Sequence, residues 1–191
     1  MKFLLTFKGG PGSGHRGHSG RPGKRGGSVA GTGGLVKSTA ADRAWVKSLS
    51  KDEMNAVRGY MNAGGPINAS AGILNSAIRK GRVSGEQEEY VRLIDSAIAK
   101  APKTTKPTVL YRGMHADRSV FDGAFVSAGR SISTAETYSS GGRIVKKFIV
   151  PAGTPMAPLS VIFFQDIADE VLLPRTVDVL SESAMKSLSF S

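Results

Sequence analysis

Three polar residues on short β-like runs carry the chemical potential of this sequence. Glu170 opens an otherwise apolar stretch, Glu170-Val171-Leu172-Leu173-Pro174-Arg175, where a carboxylate is costly to bury and needs a purpose. Arg112 lies between Tyr111 and Gly113 at the end of a second apolar run. Its guanidinium matches a phosphate through two parallel hydrogen bonds, and Gly113 lets a ligand approach the backbone closely. Ser133 and Thr134 follow Ile132 in Arg130-Ser131-Ile132-Ser133-Thr134. A hydroxyl there can bond a sugar hydroxyl or orient a carboxylate. Together they suit one phosphorylated substrate, with Glu170 stabilising positive charge that develops on a sugar ring. Asp169 points to the opposite face once the strand has begun, so a glycosidase built on paired carboxylates is not expected.

Each residue also has an ordinary structural reading. Arg112 can be an edge-strand arginine paired with a surface carboxylate, the serines can be solvent-facing, and Glu170 can be an exposed residue ahead of a buried strand. Two further segments bear on the choice. Tyr138 and Arg143 flank Ser139-Ser140-Gly141-Gly142, and an aromatic beside such a loop can stack on a planar ring. Phe163, Phe164 and Gln165 end a run just before the loop into Glu170. Neighbouring phenylalanines on a strand face opposite ways, so one of them is expected at the surface. There is no Gly-x-Ser-x-Gly elbow, and His115 is the one histidine outside the N-terminal arm, which argues against a serine hydrolase.

The elements that must position these residues change character along the chain. A short helix over 41–49 carries Trp45. Ser50-Lys51-Asp52-Glu53 has the form of a capping box for a helix with Met54, Val57, Tyr60 and Met61 on one face, ended by Gly64-Gly65-Pro66. A helix to about Lys80 turns Ile73, Leu74, Ala77 and Ile78 inward and stops at Gly81. Ser84-Gly85-Glu86-Gln87 caps another, with Tyr90, Leu93, Ile94, Ala97 and Ile98 as its stripe. Beyond Pro107, β-branched and aromatic runs alternate with turn residues, predicting strands over 108–112, 124–127, 143–150, 159–164, 170–173 and 176–180. Helices first and strands after indicate an α+β fold. No internal repeat is present.

The net charge of +11 is unevenly spread. Residues 1–36 hold six Lys/Arg, no acid and twelve of the 24 glycines, leaving about +5 for the rest. Such a segment is expected to be a disordered arm with unspecific attraction to polyanions, nucleic acid included, or simply a soluble linker. His15 and His18 have no ligating neighbours in it, so no metal site is expected. The apolar start Phe3-Leu4-Leu5-Thr6-Phe7 is too short for a signal-peptide core, and no stretch has the length of a membrane span. Cysteine is absent, so disulfides are excluded.

Taken in order, the motifs of residues 40–182 resemble the mono-ADP-ribosyltransferases of the arginine–serine–glutamate class, including bacterial toxin and phage-encoded members. Tyr111-Arg112-Gly113 is similar to that family's first-strand arginine motif, and Ile132-Ser133-Thr134-Ala135 to its Ser-Thr-Ser motif with the third position changed to Ala135. Ala168-Asp169-Glu170-Val171-Leu172-Leu173-Pro174 is similar to its Glu-x-Glu or Gln-x-Glu strand with Ala168 replacing the first acid. The helical half, from Leu49 through Ile67-Asn68 and Ile94-Asp95-Ser96, is similar too. The arm, with Gly20-Arg21-Pro22-Gly23-Lys24, resembles Gly-rich arms of phage head-morphogenesis proteins.

The resemblance implies helices followed by a mainly antiparallel β-sandwich over residues 37–191. It also implies cleavage of the nicotinamide–ribose bond of NAD, with transfer of ADP-ribose to a protein acceptor in a host cytoplasm and no metal. Arg112 would hold the NAD phosphate, and Gly113 and Thr134 would line the nucleotide site. Ser133 would position ribose and Glu170; Ser131 is the alternative register of that motif. Glu170 would stabilise the oxocarbenium-like cation. Tyr138 and Arg143 would lie near nicotinamide and phosphate, and Phe164 and Gln165 in the loop that meets the acceptor. Ala168 removes the acid expected to activate an arginine acceptor, which leaves NAD glycohydrolysis open. A non-catalytic, virion- or nucleic-acid-associated protein is the reading from a different class.

Overall fold

A computed structural model describes residues 38–114, 119–137, 144–163 and 169–180. His115, Tyr138, Arg143, Phe164, Gln165, Ala168 and the N-terminal arm lie outside the described residues. All described residues belong to the compact unit Gly34–Ser191. Its helices come first: α1 (Ala40–Ser48), α2 (Lys51–Tyr60), a 3-10 turn (Ile67–Ala69), α3 (Ala71–Arg79) and α4 (Gly85–Ala99). Then follow β1 (Thr108–Met114), β2 (Val126–Gly129), α5 (Ile132–Thr137), β3 (Ile144–Val150), β4 (Ala157–Pro158), α6 (Ser160–Phe163) and β5 (Glu170–Leu173). Among the described residues no helix is long and apolar enough to cross a membrane.

The helices start where the sequence says they should. Ser50 Oγ accepts from the Glu53 backbone N–H at 3.1 Å, and the Glu53 carboxylate accepts from the Ser50 N–H at 2.7 Å. That reciprocal cap satisfies two donors that a helix start otherwise leaves open. Glu53 does more than cap. Its carboxylate also accepts from Ser96 Oγ at 2.7 Å and from Lys100 Nζ at 2.6 and 2.7 Å, clamping α2 to α4. Trp45 of α1 donates to the Ala97 carbonyl of α4 at 2.8 Å. Next to Ser96 on α4, Asp95 receives both Nε and Nη2 of Arg175, at 3.2 and 2.6 Å, which ties the exit of β5 to the helical layer.

The expected sandwich takes the form, among the described residues, of one five-stranded antiparallel sheet in the order β3-β1-β2-β5-β4. One face packs Phe125, Ala157 and Leu172 against Trp45, Val57, Tyr60, Leu74, Ile94 and Ile98 of the helices. The other face gathers Leu110, Val126, Ala128, Phe148, Val150, Val171 and Leu173 into a second core. Alternation along β5 sends Val171 and Leu173 to one side and Leu172 to the other, as a strand buried on both faces requires.

Four expectations need correction. Of the strand expected over 159–164, the described residues 159–163 form none: Leu159 and Ile162 are buried three apart, a helical spacing, and Leu159 leads into α6. Residues 176–180 form no named strand; Leu180 makes an isolated bridge to Ile149. The run ending in Ser133 and Thr134 is not a strand end, because β2 stops at Gly129 and both residues sit in α5. In α3, Ile73 is 42% exposed while the polar Asn75 is buried, so the inward stripe includes an amide and excludes an isoleucine.

Candidate functional site

Register brings the site together. β1 meets β2 at Tyr111↔Gly129, and β2 meets β5 at Gly129↔Glu170. Tyr111, Gly129 and Glu170 therefore form one row across three strands, on one face of the sheet. Ser127, which pairs with Leu172, lies on that same face one step along β2. A cleft of about 430 Å³ opens over this row, lined by Tyr111, Arg112, Gly113, Ser127, Ala128, Gly129 and Glu170 from the sheet side. From the helical side come Tyr60, Met61, Asn62 and Ala71, and Ala135 comes from α5. The volume is that of a small-molecule site.

The helical wall is built by glycines and a cap. α2 ends in a Schellman motif: Ala63 N–H bonds the Arg58 carbonyl at 2.9 Å and Asn62 N–H bonds the Gly59 carbonyl at 3.0 Å. Asn62 occupies the left-handed position (φ 57), where asparagine is tolerated, and so faces the cleft at the helix end. The chain then doubles back so tightly that a Cβ on Gly65 would sit 2.2 Å from the Gly59 nitrogen. Gly129 is equally constrained. A Cβ there would meet Thr134 Cβ at 2.7 Å and Cγ2 at 2.8 Å, because the first turn of α5 lies directly on the end of β2.

Beneath the cleft is a polar network. Tyr60 is buried, with its hydroxyl donating to the Phe125 carbonyl at 3.3 Å and accepting from Asn75 Nδ2 at 2.9 Å. Asn75 also donates to the Phe125 carbonyl at 3.1 Å and accepts from the Phe125 N–H at 3.0 Å. Burial pushes the Tyr60 phenol above its ordinary pKa, and the Glu170 charge adds to that. Hydrogen bonds from Asn75 and Ser127 and the Arg112 charge oppose it. One phenol thus feels Ser127, Arg112 and Glu170 together.

Glu170 is 5% exposed, so its carboxylate is buried at the cleft rather than solvated ahead of the strand. Asp169 precedes it at φ +88, a backbone region few non-glycine residues adopt. Its carbonyl accepts from the Arg130 N–H at 3.1 Å, and its carboxylate lies 3.8 Å from the Arg130 guanidinium. Burial raises the Asp169 pKa and Arg130 partly offsets the rise. It does not line the cleft alongside Glu170.

The predicted residues therefore divide. Arg112, Gly113 and Glu170 share the cleft; Ser131, Ser133 and Thr134 do not line it. Ser131 Oγ instead lies 3.0 Å from Ser133 Oγ and 2.9 Å from Thr134 Oγ1, and it accepts from the Thr134 N–H at 3.3 Å, capping α5 beside the cleft. The hydroxyl on the cleft floor is Ser127, which sequence patterning places at the end of a plain strand. Its one signal is a small polar residue at an alternate position of Phe125-Val126-Ser127-Ala128-Gly129. Tyr60 reads from sequence as an ordinary member of a helix stripe, and nothing in the pattern singles out Asn75.

Residues 39–122 match the family model described as "ADP-ribosyltransferase exoenzyme". That span holds the helical layer and Arg112 but stops before Ser127 and Glu170. None of the curated proteins compared matches the chain. Solved structures carry the likeness further. Plx2a, an ADP-ribosyltransferase toxin from Paenibacillus larvae, superposes with a TM-score of 0.57 at 16% identity, over 71% of this chain and 78% of that one. The C3 exoenzyme of Clostridium limosum gives 0.53 at 20% identity, over 71% and 78%. BECa, an ADP-ribosylating toxin of C. perfringens solved with NADH, gives 0.51 at 18% identity, over 70% and 38%. The fold is that of the ADP-ribosyltransferase toxins. In that toxin fold the row Tyr111–Gly129–Glu170 and the α2 end of the helical layer form the two walls of the cleft.

Proposed function

We propose that the cleft binds NAD and cleaves its nicotinamide–ribose bond, passing ADP-ribose to a protein acceptor. The observation that carries this reading is a nearly fully buried carboxylate, Glu170, in one cleft with Arg112 and Ser127. A carboxylate held out of water stabilises a cation more strongly than a solvated one. In NAD the departing ring nitrogen is already cationic, so nicotinamide leaves as a neutral molecule and needs no general acid. The bond electrons go to nicotinamide, and the ribose carbon becomes oxocarbenium-like. Glu170 is the group to stabilise it.

Arg112 supplies two parallel donors to the diphosphate, with Gly113 giving the backbone clearance. Ser127 takes the ribose-positioning role that the sequence assigns to Ser133 or Ser131. Among the described residues Glu170 is the one carboxylate lining the cleft, which fits single-carboxylate glycosyl transfer and not a paired-acid hydrolase. The solved complex of BECa with NADH supports a nicotinamide dinucleotide as the ligand. The overall change is balanced: NAD plus an acceptor O–H or N–H gives the ADP-ribosyl acceptor, nicotinamide and a proton. Ala168 stands where an acceptor-activating acid is expected, and that favours water as a competing acceptor, with ADP-ribose released.

Incubation with labelled NAD and a cell lysate separates these routes. Label on protein marks transfer, free ADP-ribose with nicotinamide marks hydrolysis, and no nicotinamide release under any condition would overturn both. Glu170→Gln should lower nicotinamide release by about 10² or more while the unfolding midpoint holds. A variant as active as the parent would remove Glu170 from the reaction.

A further inference from the structure

The sheet has a long outer edge. In the order β3-β1-β2-β5-β4, β3 is outermost, and it pairs with β1 along its whole length, from Val150↔Thr108 to Ile144↔Met114. The far side of an edge strand presents a row of backbone donors and acceptors, which native proteins blunt or cover. Among the described residues one backbone partner reaches that side. Leu180 forms an antiparallel bridge to Ile149, its N–H donating to the Ile149 carbonyl at 2.9 Å. Because antiparallel chains run in opposite directions, this one bridge sets the register for every residue after Leu180. Continued along β3, it puts Glu182 opposite Lys147, Ser183 opposite Lys146, Ala184 opposite Val145 and Met185 opposite Ile144. Residues 181–191 lie outside the described residues.

We propose that residues 181–185 dock on the outer edge of β3 as a sixth strand, in the register that Leu180 sets. The occupant is this chain's own segment for three reasons. It continues a bridge that already exists. It brings an acid, Glu182, opposite a base, Lys147, the favourable arrangement for a cross-strand pair. It also covers Ile144, an apolar side chain left 40% exposed, with Met185. The next pair would set Lys186 opposite Arg143, like charges that end the pairing where β3 itself begins. Lys147 pairs with Tyr111, so the row Tyr111–Gly129–Glu170 under the cleft extends through Lys147 to Glu182, and the sixth strand backs that wall. The proposal does not depend on which ligand the cleft takes.

The chain has no cysteine, so paired substitutions report the register without interference. In the proposed register Lys146 and Ser183 are a non-hydrogen-bonded pair, with Cα atoms about 4.5 Å apart and within disulfide reach. Lys146→Cys with Ser183→Cys should give an intramolecular disulfide under mild oxidation. Lys146→Cys with Glu182→Cys should give at least tenfold less, because alternation sends position 182 to the other face. Equal yields from the two pairs, or no disulfide from either, overturn the proposal. A disulfide-linked dimer overturns it too, by giving the edge to a second copy. Hydrogen exchange supplies a second readout. The Ile149 carbonyl points outward, so alternation turns the N–H groups of Val145 and Lys147 outward and those of Lys146 and Phe148 toward β1. Truncation after Leu180 should speed exchange at Val145 and Lys147 about tenfold or more, while Lys146 and Phe148 hold. Unchanged rates at Val145 and Lys147 overturn the proposal, and the disulfide result decides it where the truncated chain fails to fold.

Discussion

Ser127 and Ser133 make opposite demands on the same assay. Ser127→Ala removes, among the described residues, the one serine hydroxyl that lines the cleft and should reduce NAD cleavage about tenfold or more, the loss expected when a hydrogen-bond partner of the substrate disappears. Ser133→Ala removes an exposed hydroxyl at the start of α5 and should stay within about twofold of the parent. Nicotinamide release under matched conditions decides between them; the reverse order would restore the motif read from the sequence. Arg112 and Glu170 are legible in the sequence because each is a charged residue in an apolar run, a conflict that a site resolves. Ser127 is not, because a serine on a strand raises no conflict, and which serine reaches a cleft depends on register that only the folded ladders supply. Tyr60 is hidden for a related reason. An aromatic on an amphipathic stripe is already explained by the core, and its second role needs Asn75 and Phe125 from elsewhere in the chain.

At the scale of elements, the helices are legible almost to the residue because their signals are local. Ser50 and Glu53 are three apart in sequence and bond each other in space. The sheet half is less legible. β-branched and aromatic residues over 159–164 suggest a strand, yet burial of Leu159 and Ile162 wins residues 159–163 for a helical turn. Two predictions belong here. Gly129→Ala places a methyl group 2.7 Å from Thr134 Cβ, so α5 must move off β2. The expected cost is about 1–3 kcal/mol in urea unfolding, together with a raised NAD KM as the cleft wall shifts. The second concerns the clamp between α2 and α4. Burial pushes the Glu53 carboxyl up, but hydrogen bonds from Lys100, Ser96 and the Ser50 N–H, with the Lys100 charge, bring it from 4.5 down to about 2. A carboxyl whose folded pKa is depressed stabilises the fold above its unfolded value and loses that contribution as pH falls. Stability should therefore decline between about pH 4.5 and 2, and Glu53→Gln should flatten that part of the pH–stability curve. An unchanged acid limb in the variant would show that the clamp does not control it.

At the scale of the whole molecule, charge and chemistry are assigned to different parts of the chain. Residues 1–36 hold six Lys/Arg and no acid, whereas among the described residues every one that lines the cleft comes from beyond position 59. On the proposed reading, the basic segment would carry any attraction to polyanions and the cleft the chemistry on NAD. Removing residues 1–36 should leave kcat and KM for NAD within about twofold, since no lining residue is lost. Binding to duplex DNA should weaken, and the slope of log affinity against log salt should shrink by up to about 5 if all six cations meet phosphates. Filter binding at several salt concentrations measures both quantities in one series. A slope that survives the deletion would place the polyanion contact on the body of the protein, with Lys146 and Lys147 of β3, opposite Arg112 and Tyr111, as the first residues to replace. A deletion that instead abolished NAD cleavage would mean that the segment contributes to the cleft, and the separation of charge from chemistry would fail.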